Sequence, residues 1–145
     1  MKNCLSDVKK LAPSDLLDGT LLALGADDFS EQAIYALFKE IETEQPSVAG
    51  WFEVTGSEGD LRSEPLRGLL NFMESGKILQ ISPPNPVDQF YHVRKEQKQT
   101  ILKDLKDHGV LPRYQGLFKE LAKRLRRLTR EQKQIASVPT ELKGD

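Results

Sequence analysis

The sequence predicts a mainly α-helical domain of the α+β class, with one small β-hairpin and amphipathic helices towards its C-terminus. Apolar residues recur at three- and four-residue steps in several segments, and two short apolar runs flank a Pro-rich stretch. Hydrophobic residues make up 38% and charged residues 30% of the 145-residue chain. This composition favours helical structure and does not favour a large dry core. A chain of this length can still bury a core.

The first predicted helix follows a polar lead-in over residues 1–13, which we expect to be flexible. Ser14 can cap a helix that continues to Leu24, since its side chain can accept a hydrogen bond from the first turn. Gly25 stands where a helix commonly ends in a left-handed residue.

A second helix is predicted over residues 30–44. Either Asp28 or Ser30 can cap it, and Pro46 stops it. Residues 47–55 are open to two interpretations, a short strand or a single helical turn. Trp51 and Phe52 are expected mainly to fill the core.

The third predicted helix, over residues 60–75, has Ser63-Glu64-Pro65 as its start signal and Gly76 at its C′ position. Residues 78–81 and 90–93 then read as two strands around a Pro-rich loop. Because the loop is longer than a two-residue turn, a wide β-hairpin is expected.

From Arg94 onward the pattern is helical again. One helix should end near Gly109, and a longer one should follow Pro112 with a sustained apolar stripe. This stripe is a candidate packing interface, and it consists of Tyr114, Leu117, Phe118, Leu121, Leu125 and Leu128. We expect residues 135–145 to be a frayed tail.

Charge is distributed very unevenly along the chain. Residues 1–93 carry 7 Lys and Arg against 15 Asp and Glu, a net charge of −8, whereas residues 94–134 carry 13 against 5, a net charge of +8. The predicted layout is therefore an acidic domain over 14–93 with a basic helical extension over 94–134. Such an asymmetry indicates a binding protein rather than an enzyme.

The basic residues of the last helix form a candidate site for nucleic acid or for an acidic partner: Lys119, Lys123, Arg124, Arg126, Arg127, Arg130 and Lys133. Three interpretations remain open. The apolar stripe packs on the core or on another subunit while the charges are solvated or meet the chain's own acids. Alternatively, the cations contact successive phosphates of a nucleic acid, or the helix lies on anionic lipid or in an acidic protein groove.

The stretch from Leu66 to Ile78 has an apolar helix, then Gly76, then an apolar strand, and the region around it resembles a winged helix-turn-helix. In that resemblance residues 30–44 and 47–54 are the first two helices, 60–75 the recognition helix and 78–93 the wing. The resemblance implies a recognition surface of Arg62, Arg67, Asn71 and Lys77. Acids on this helix and the lack of Lys or Arg between 78 and 93 suit a protein-docking use of such a fold.

Residues suited to catalysis or metal binding are sparse. Neither His92 nor His108 has a Cys or a second His at metal-ligand spacing, and Cys4 has no nearby His to activate it. We therefore expect no catalytic residue, no metal and no cofactor. A single cysteine and apolar runs too short to span a bilayer predict a cytoplasmic protein without a membrane span.

Two functions follow as expectations. The first is a nucleic-acid-associated regulator or complex subunit that contacts phosphates through the basic C-terminal helix without sequence specificity. The second is a protein–protein adaptor or oligomerising subunit whose acidic body docks a partner. A small enzyme with an unrecognised site is a distant third.

Overall fold

The computed structural model describes residues 4–48, 50–57, 60–81 and 89–143, with side chains up to Gln132 in the last helix. The chain is mainly helical with small antiparallel sheets, as predicted. Its helices and strands are α1 (Pro13–Leu24), β1 (Phe29–Ser30), α2 (Glu31–Glu44), β2 (Thr55–Ser57), β3 (Asp60–Arg62), α3 (Glu64–Ser75), β4 (Leu79–Ile81), β5 (Phe90–Val93), α4 (Lys98–Asp107) and α5 (Gln115–Lys143). Short 3-10 helices cover Cys4–Lys10, Pro46–Val48 and Lys95–Gln97.

The predicted hairpin is present, because β4 and β5 pair antiparallel with Leu79 opposite Val93. A strand that the sequence did not reveal, β1, joins the other edge of β5, so the sheet order is β1-β5-β4. The predicted Pro-rich loop, residues 83–86, lies outside the described residues. A separate two-stranded ribbon joins β2 to β3.

Helix starts follow the hydroxyl caps in two of three predicted cases. The Ser30 Oγ accepts a hydrogen bond from the Ala33 N–H at 2.9 Å, which decides the choice between Ser30 and Asp28. The Ser63 Oγ accepts from the Leu66 N–H at 3.2 Å, so α3 begins at Glu64. The prediction for Ser14 is wrong: Pro13, with its pre-set φ, opens α1, and Ala12 occupies the cap position without a side-chain bond.

The structure also differs from the predictions in the segment over residues 47–55 and at the end of α3. Residues 47–55 are neither one strand nor one helix, since the 3-10 turn Pro46–Val48 precedes β2. Gly76 ends α3 with a φ of −81°, and the left-handed residue is Lys77, with a φ of +63°. Gly25 and Gly109 do adopt positive φ, as expected at helix ends.

The long helix α5 belongs to the same core as the N-terminal half. It packs against α1 and α2, and one apolar cluster extends from Leu5 to Leu128. Among the described residues, the predicted domain over 14–93 and the predicted extension over 94–134 therefore share one core.

Both ends that the sequence predicts to be flexible contain helical backbone in the structure. Within the expected lead-in over residues 1–13, Cys4–Lys10 is a 3-10 helix that buries Leu5 and Val8. Leu5, Val8 and Leu11 recur every three residues, and all three side chains pack on the core. At the other end the helical backbone of α5 continues to Lys143, into the expected frayed tail.

Candidate functional site

The basic face of α5 is the largest site predicted from the sequence, and two of its arginines face acids on α2. The Arg124 guanidinium lies 3.0 Å from the Glu44 carboxylate and 3.6 Å from that of Glu40. Arg127 lies 3.3 Å from the same Glu40. These carboxylates belong to the acidic half of the sequence, so part of the opposing charge is neutralised within the molecule.

A third arginine of that face, Arg126, is used at the end of α1. Its Nε donates to the Asp27 carboxylate at 2.8 Å, and its terminal nitrogen donates to the carbonyl oxygens of Ala23 and Leu24 at 3.3 and 3.0 Å. The last carbonyls of a helix lack intrahelical donors and carry partial negative charge. Arg126 therefore acts as a C-terminal cap of α1.

Three cations of the predicted face are exposed and form no ion pair with a described residue. No described carboxylate comes within ion-pair distance of Lys119, Lys123 or Arg130. At ~100° per residue these three positions fall within an arc of roughly 40° on the helix. The side chain of Lys133 lies outside the described residues, so the structure does not place this predicted contact.

The apolar stripe of α5 faces the chain's own core. Five of the six residues predicted as a packing interface are buried among α1, α2 and the N-terminal 3-10 helix, and Tyr114 packs against them at the edge. This result corrects the part of the prediction that offered the stripe to another subunit. Of the two packing places considered for the stripe, the chain's own core and another subunit, the structure has the core.

The predicted recognition surface on and beside α3 is only partly available. Arg67 forms an ion pair with the Glu31 carboxylate, which also accepts a hydrogen bond from the Tyr35 hydroxyl at 2.6 Å. That carboxylate raises the pKa of Arg67. Arg62 lies 3.7 Å from Asp60 on the exposed ribbon. Asn71 and Lys77 are exposed, as a groove-reading residue would have to be.

The outward face of α3 carries an aromatic residue that our sequence interpretation missed. Phe72 is 73% exposed, although it stands in the apolar run Leu69–Met73. The helical period could have identified it, because Phe72 lies ~100° away from Met73 and off the stripe of Leu66 and Leu70. Ile81, at the end of β4, is the other large apolar residue that is exposed in the described part of the chain, at 41%.

A cavity of about 530 Å³ lies between α1, α4 and α5. Its wall is mostly apolar, with two lysines and one amide, and consists of Gly19, Leu22, Ala23, Leu102, Lys106, Leu111, Pro112, Gln115, Phe118 and Lys119. Sequence reasoning did not find this cavity, because it forms where α1 packs against α4 and α5, and α1 is far from both in the chain.

Titratable groups meet where α1 packs against α4. The His108 Nδ1 lies 2.9 Å from the Asp15 carboxylate, and this hydrogen bond raises the pKa of His108. Burial raises the pKa of Asp18 to about 6, and the carboxylates of Asp15 and Asp104 add to the effect.

Within the ranges that the structure describes, no group of three or more His, Cys, Asp or Glu residues is arranged to hold a metal ion. No described helix has the length and apolar character that crossing a membrane requires. Comparisons of the chain with protein-family models, with curated proteins and with solved structures found no match.

Proposed function

We propose that this protein is a non-catalytic protein-interaction module that docks its partner through the outward face of α3. The observation that carries the proposal is the exposure of Phe72 in the last turn of that helix. Aromatic anchors of this kind supply much of the binding energy of protein interfaces. Because Phe72 is mostly exposed in the free chain, covering its ring with a partner removes apolar surface from water and favours binding.

The surroundings of Phe72 support protein rather than DNA as the partner. Gly68 lies one turn before it, and apart from its chain neighbours and the helix's own backbone no atom stands within 4 Å of the place where a Cβ would be, so the helix surface there is open. Arg67 is engaged by Glu31, and Glu64 and Glu74 lie on the same helix. Acids there repel a phosphate backbone and leave an apolar anchor with a polar rim.

The order of elements supports the fold-level resemblance to a winged helix. The β4–β5 hairpin directly follows α3, which is how a wing follows a recognition helix in the resemblance. The short second helix expected over 47–54 is reduced to the turn Pro46–Val48. Winged helices that are acidic suit protein docking, so the resemblance and the exposed Phe72 favour the same use.

Site-specific photo-crosslinking in the native host tests the proposal. A photoreactive amino acid replaces exposed Ser75, one turn beyond Phe72, and in a control chain it replaces exposed Gln99 at the start of α4. We expect a discrete adduct from position 75 that Phe72→Ser abolishes. Its mass distinguishes a second copy of this chain from a different protein.

The matched controls make a negative result informative. Phe72 is exposed, so Phe72→Ser should leave the thermal midpoint of unfolding nearly unchanged. The proposal fails if position 75 gives no adduct, if position 99 gives the same adduct, or if the adduct survives in the Phe72→Ser chain.

A second candidate function is contact with nucleic-acid phosphates through Lys119, Lys123 and Arg130, favoured by their exposure on one stripe of α5. Three phosphate contacts would weaken binding only about 40-fold between ~50 and ~200 mM salt, whereas six would weaken it roughly a thousandfold. Duplex binding measured at the two salt concentrations tests this. Negligible binding at the lower concentration excludes it.

A further inference from the structure

The cavity between α1, α4 and α5 has the walls of a small-molecule site. Its volume of about 530 Å³ falls within the ~300–1,000 Å³ that is usual for such sites. Leu22, Leu102 and Leu111 line it and are only partly buried, so they retain apolar surface that a ligand can cover. Burying that surface is favourable by ~25 cal/mol per Å².

The polar groups of the wall all suit an anion. Lys106 comes from α4 and Lys119 from α5, and the Gln115 amide can donate a hydrogen bond as well. No acidic residue lines the cavity. Neither lysine has a described carboxylate within ion-pair distance, in contrast to Lys103, whose ammonium lies 3.1 Å from Asp107 on the same helix.

Lys119 differs from three arginines of α5 in having no ion-pair partner among the described residues. Arg124, Arg126 and Arg127 form ion pairs with the chain's own acids, whereas Lys119 lines an apolar cavity that a second unpaired lysine, Lys106, also lines. Two ammonium groups beside an apolar wall are electrostatically complementary to an amphipathic anion.

We propose that this cavity binds an apolar molecule with a single anionic head group. The apolar part lies along Leu22, Leu102 and Leu111, and the head group lies between Lys106 and Lys119. The site is separate from the α3 face, so it does not depend on the function proposed above.

Calorimetric titration of the full chain with decanoate tests the assignment, with decanol and decyltrimethylammonium as probes of the same chain length. We expect saturable binding of decanoate and much weaker binding of the alcohol and the cation. Octanoate should bind more weakly by about fourfold per missing methylene, because the chain is buried.

Variants locate the head group. Lys106→Gln and Lys119→Gln should each weaken decanoate binding by about twofold to fivefold, and the double variant by roughly the product. Lys123→Gln is the matched control, since Lys123 is exposed and unpaired on α5 and does not line the cavity. Phe72→Ser should also leave decanoate binding unchanged.

Four outcomes would overturn the proposal. Decanoate shows no saturable binding below its aggregation concentration; the alcohol or the cation binds as tightly as decanoate; the double lysine variant behaves like Lys123→Gln; or affinity does not depend on chain length.

Discussion

Gly19 of α1 is in close contact with the Phe118 ring of α5. A Cβ built there would overlap three ring atoms of Phe118, which is buried. We expect Gly19→Ala to lower the free energy of unfolding by about 1–3 kcal/mol through overpacking. Chemical denaturation of the purified chain measures this.

Two further variants identify overpacking as the cause. Gly68→Ala in α3, where nothing lies within 4 Å, should raise stability by up to about 1 kcal/mol, because alanine favours the helix. Phe118→Leu should be less harmful in the Gly19→Ala chain than in the parent. If Gly19→Ala is as harmless as Gly68→Ala, the close contact of α1 and α5 is wrong.

Asp18 makes stability depend on pH. Its pKa rises from 3.8 to about 6 in the folded chain, so the folded state binds more protons than the unfolded state between these values. Stability should therefore fall as pH rises from about 4 to about 6 and stay lower above that range. Asp18→Asn should stabilise the chain at pH ~7.5 by at most about 3 kcal/mol, reduced by partial exposure, and by little at pH ~4.

Denaturant unfolding of the parent and Asp18→Asn chains at both pH values measures the effect. Asp60→Asn is the control, since Asp60 is exposed on the β2–β3 ribbon and should change stability little at either pH. An equal gain for Asp18→Asn at pH ~4 and pH ~7.5 would contradict burial of a charged carboxylate as the cause.

At the scale of elements, Arg126 holds the end of α1 to α5. We expect Arg126→Ala to lower the free energy of unfolding by about 1–2 kcal/mol, because two helix-end carbonyls and Asp27 lose their donor. Lys123→Ala and Arg130→Ala on the same helix should stay within about 0.5 kcal/mol. Equal losses for all three variants, measured by denaturant unfolding, would show that this helix's cations act only through net charge.

Local sequence signals predicted the helices and strands well, but they did not predict which of their side chains stay free to bind a partner. Ser30 and Ser63 start helices and the β4–β5 hairpin forms, because caps and turns depend on residues close in sequence. Strand β1 has only two residues and pairs with Tyr91 and Phe90, too short a pattern to detect. Which cations of α5 stay free depends on the packing of α2 and α1 beside it, and the sequence contains no local signal of that packing.

At the scale of the molecule, the opposed charges of the two halves meet inside one chain. Arg124 and Arg127 of the basic region face Glu40 and Glu44 of the acidic region. Association of two copies through the acidic region of one and the basic region of the other would have to compete with these internal pairs. The charge asymmetry thus contributes to holding α5 on α2, although each exposed pair adds only ~0–1 kcal/mol.

The single core makes a strong prediction about truncation. A chain that ends at Gly109 lacks Leu117, Phe118, Leu121 and Leu125, which contact α1 and α2 in the centre of the cluster. Removing these four buried side chains costs about 9–20 kcal/mol, which is as large as the ~5–15 kcal/mol that stabilises a domain. We expect this shortened chain to lose cooperative thermal unfolding by circular dichroism, whereas a basic extension outside the domain would leave it intact. Adding a peptide of residues 110–145 should restore the transition, because it supplies the helix that packs against α1 and α2. A cooperative transition in the shortened chain alone would contradict the shared core.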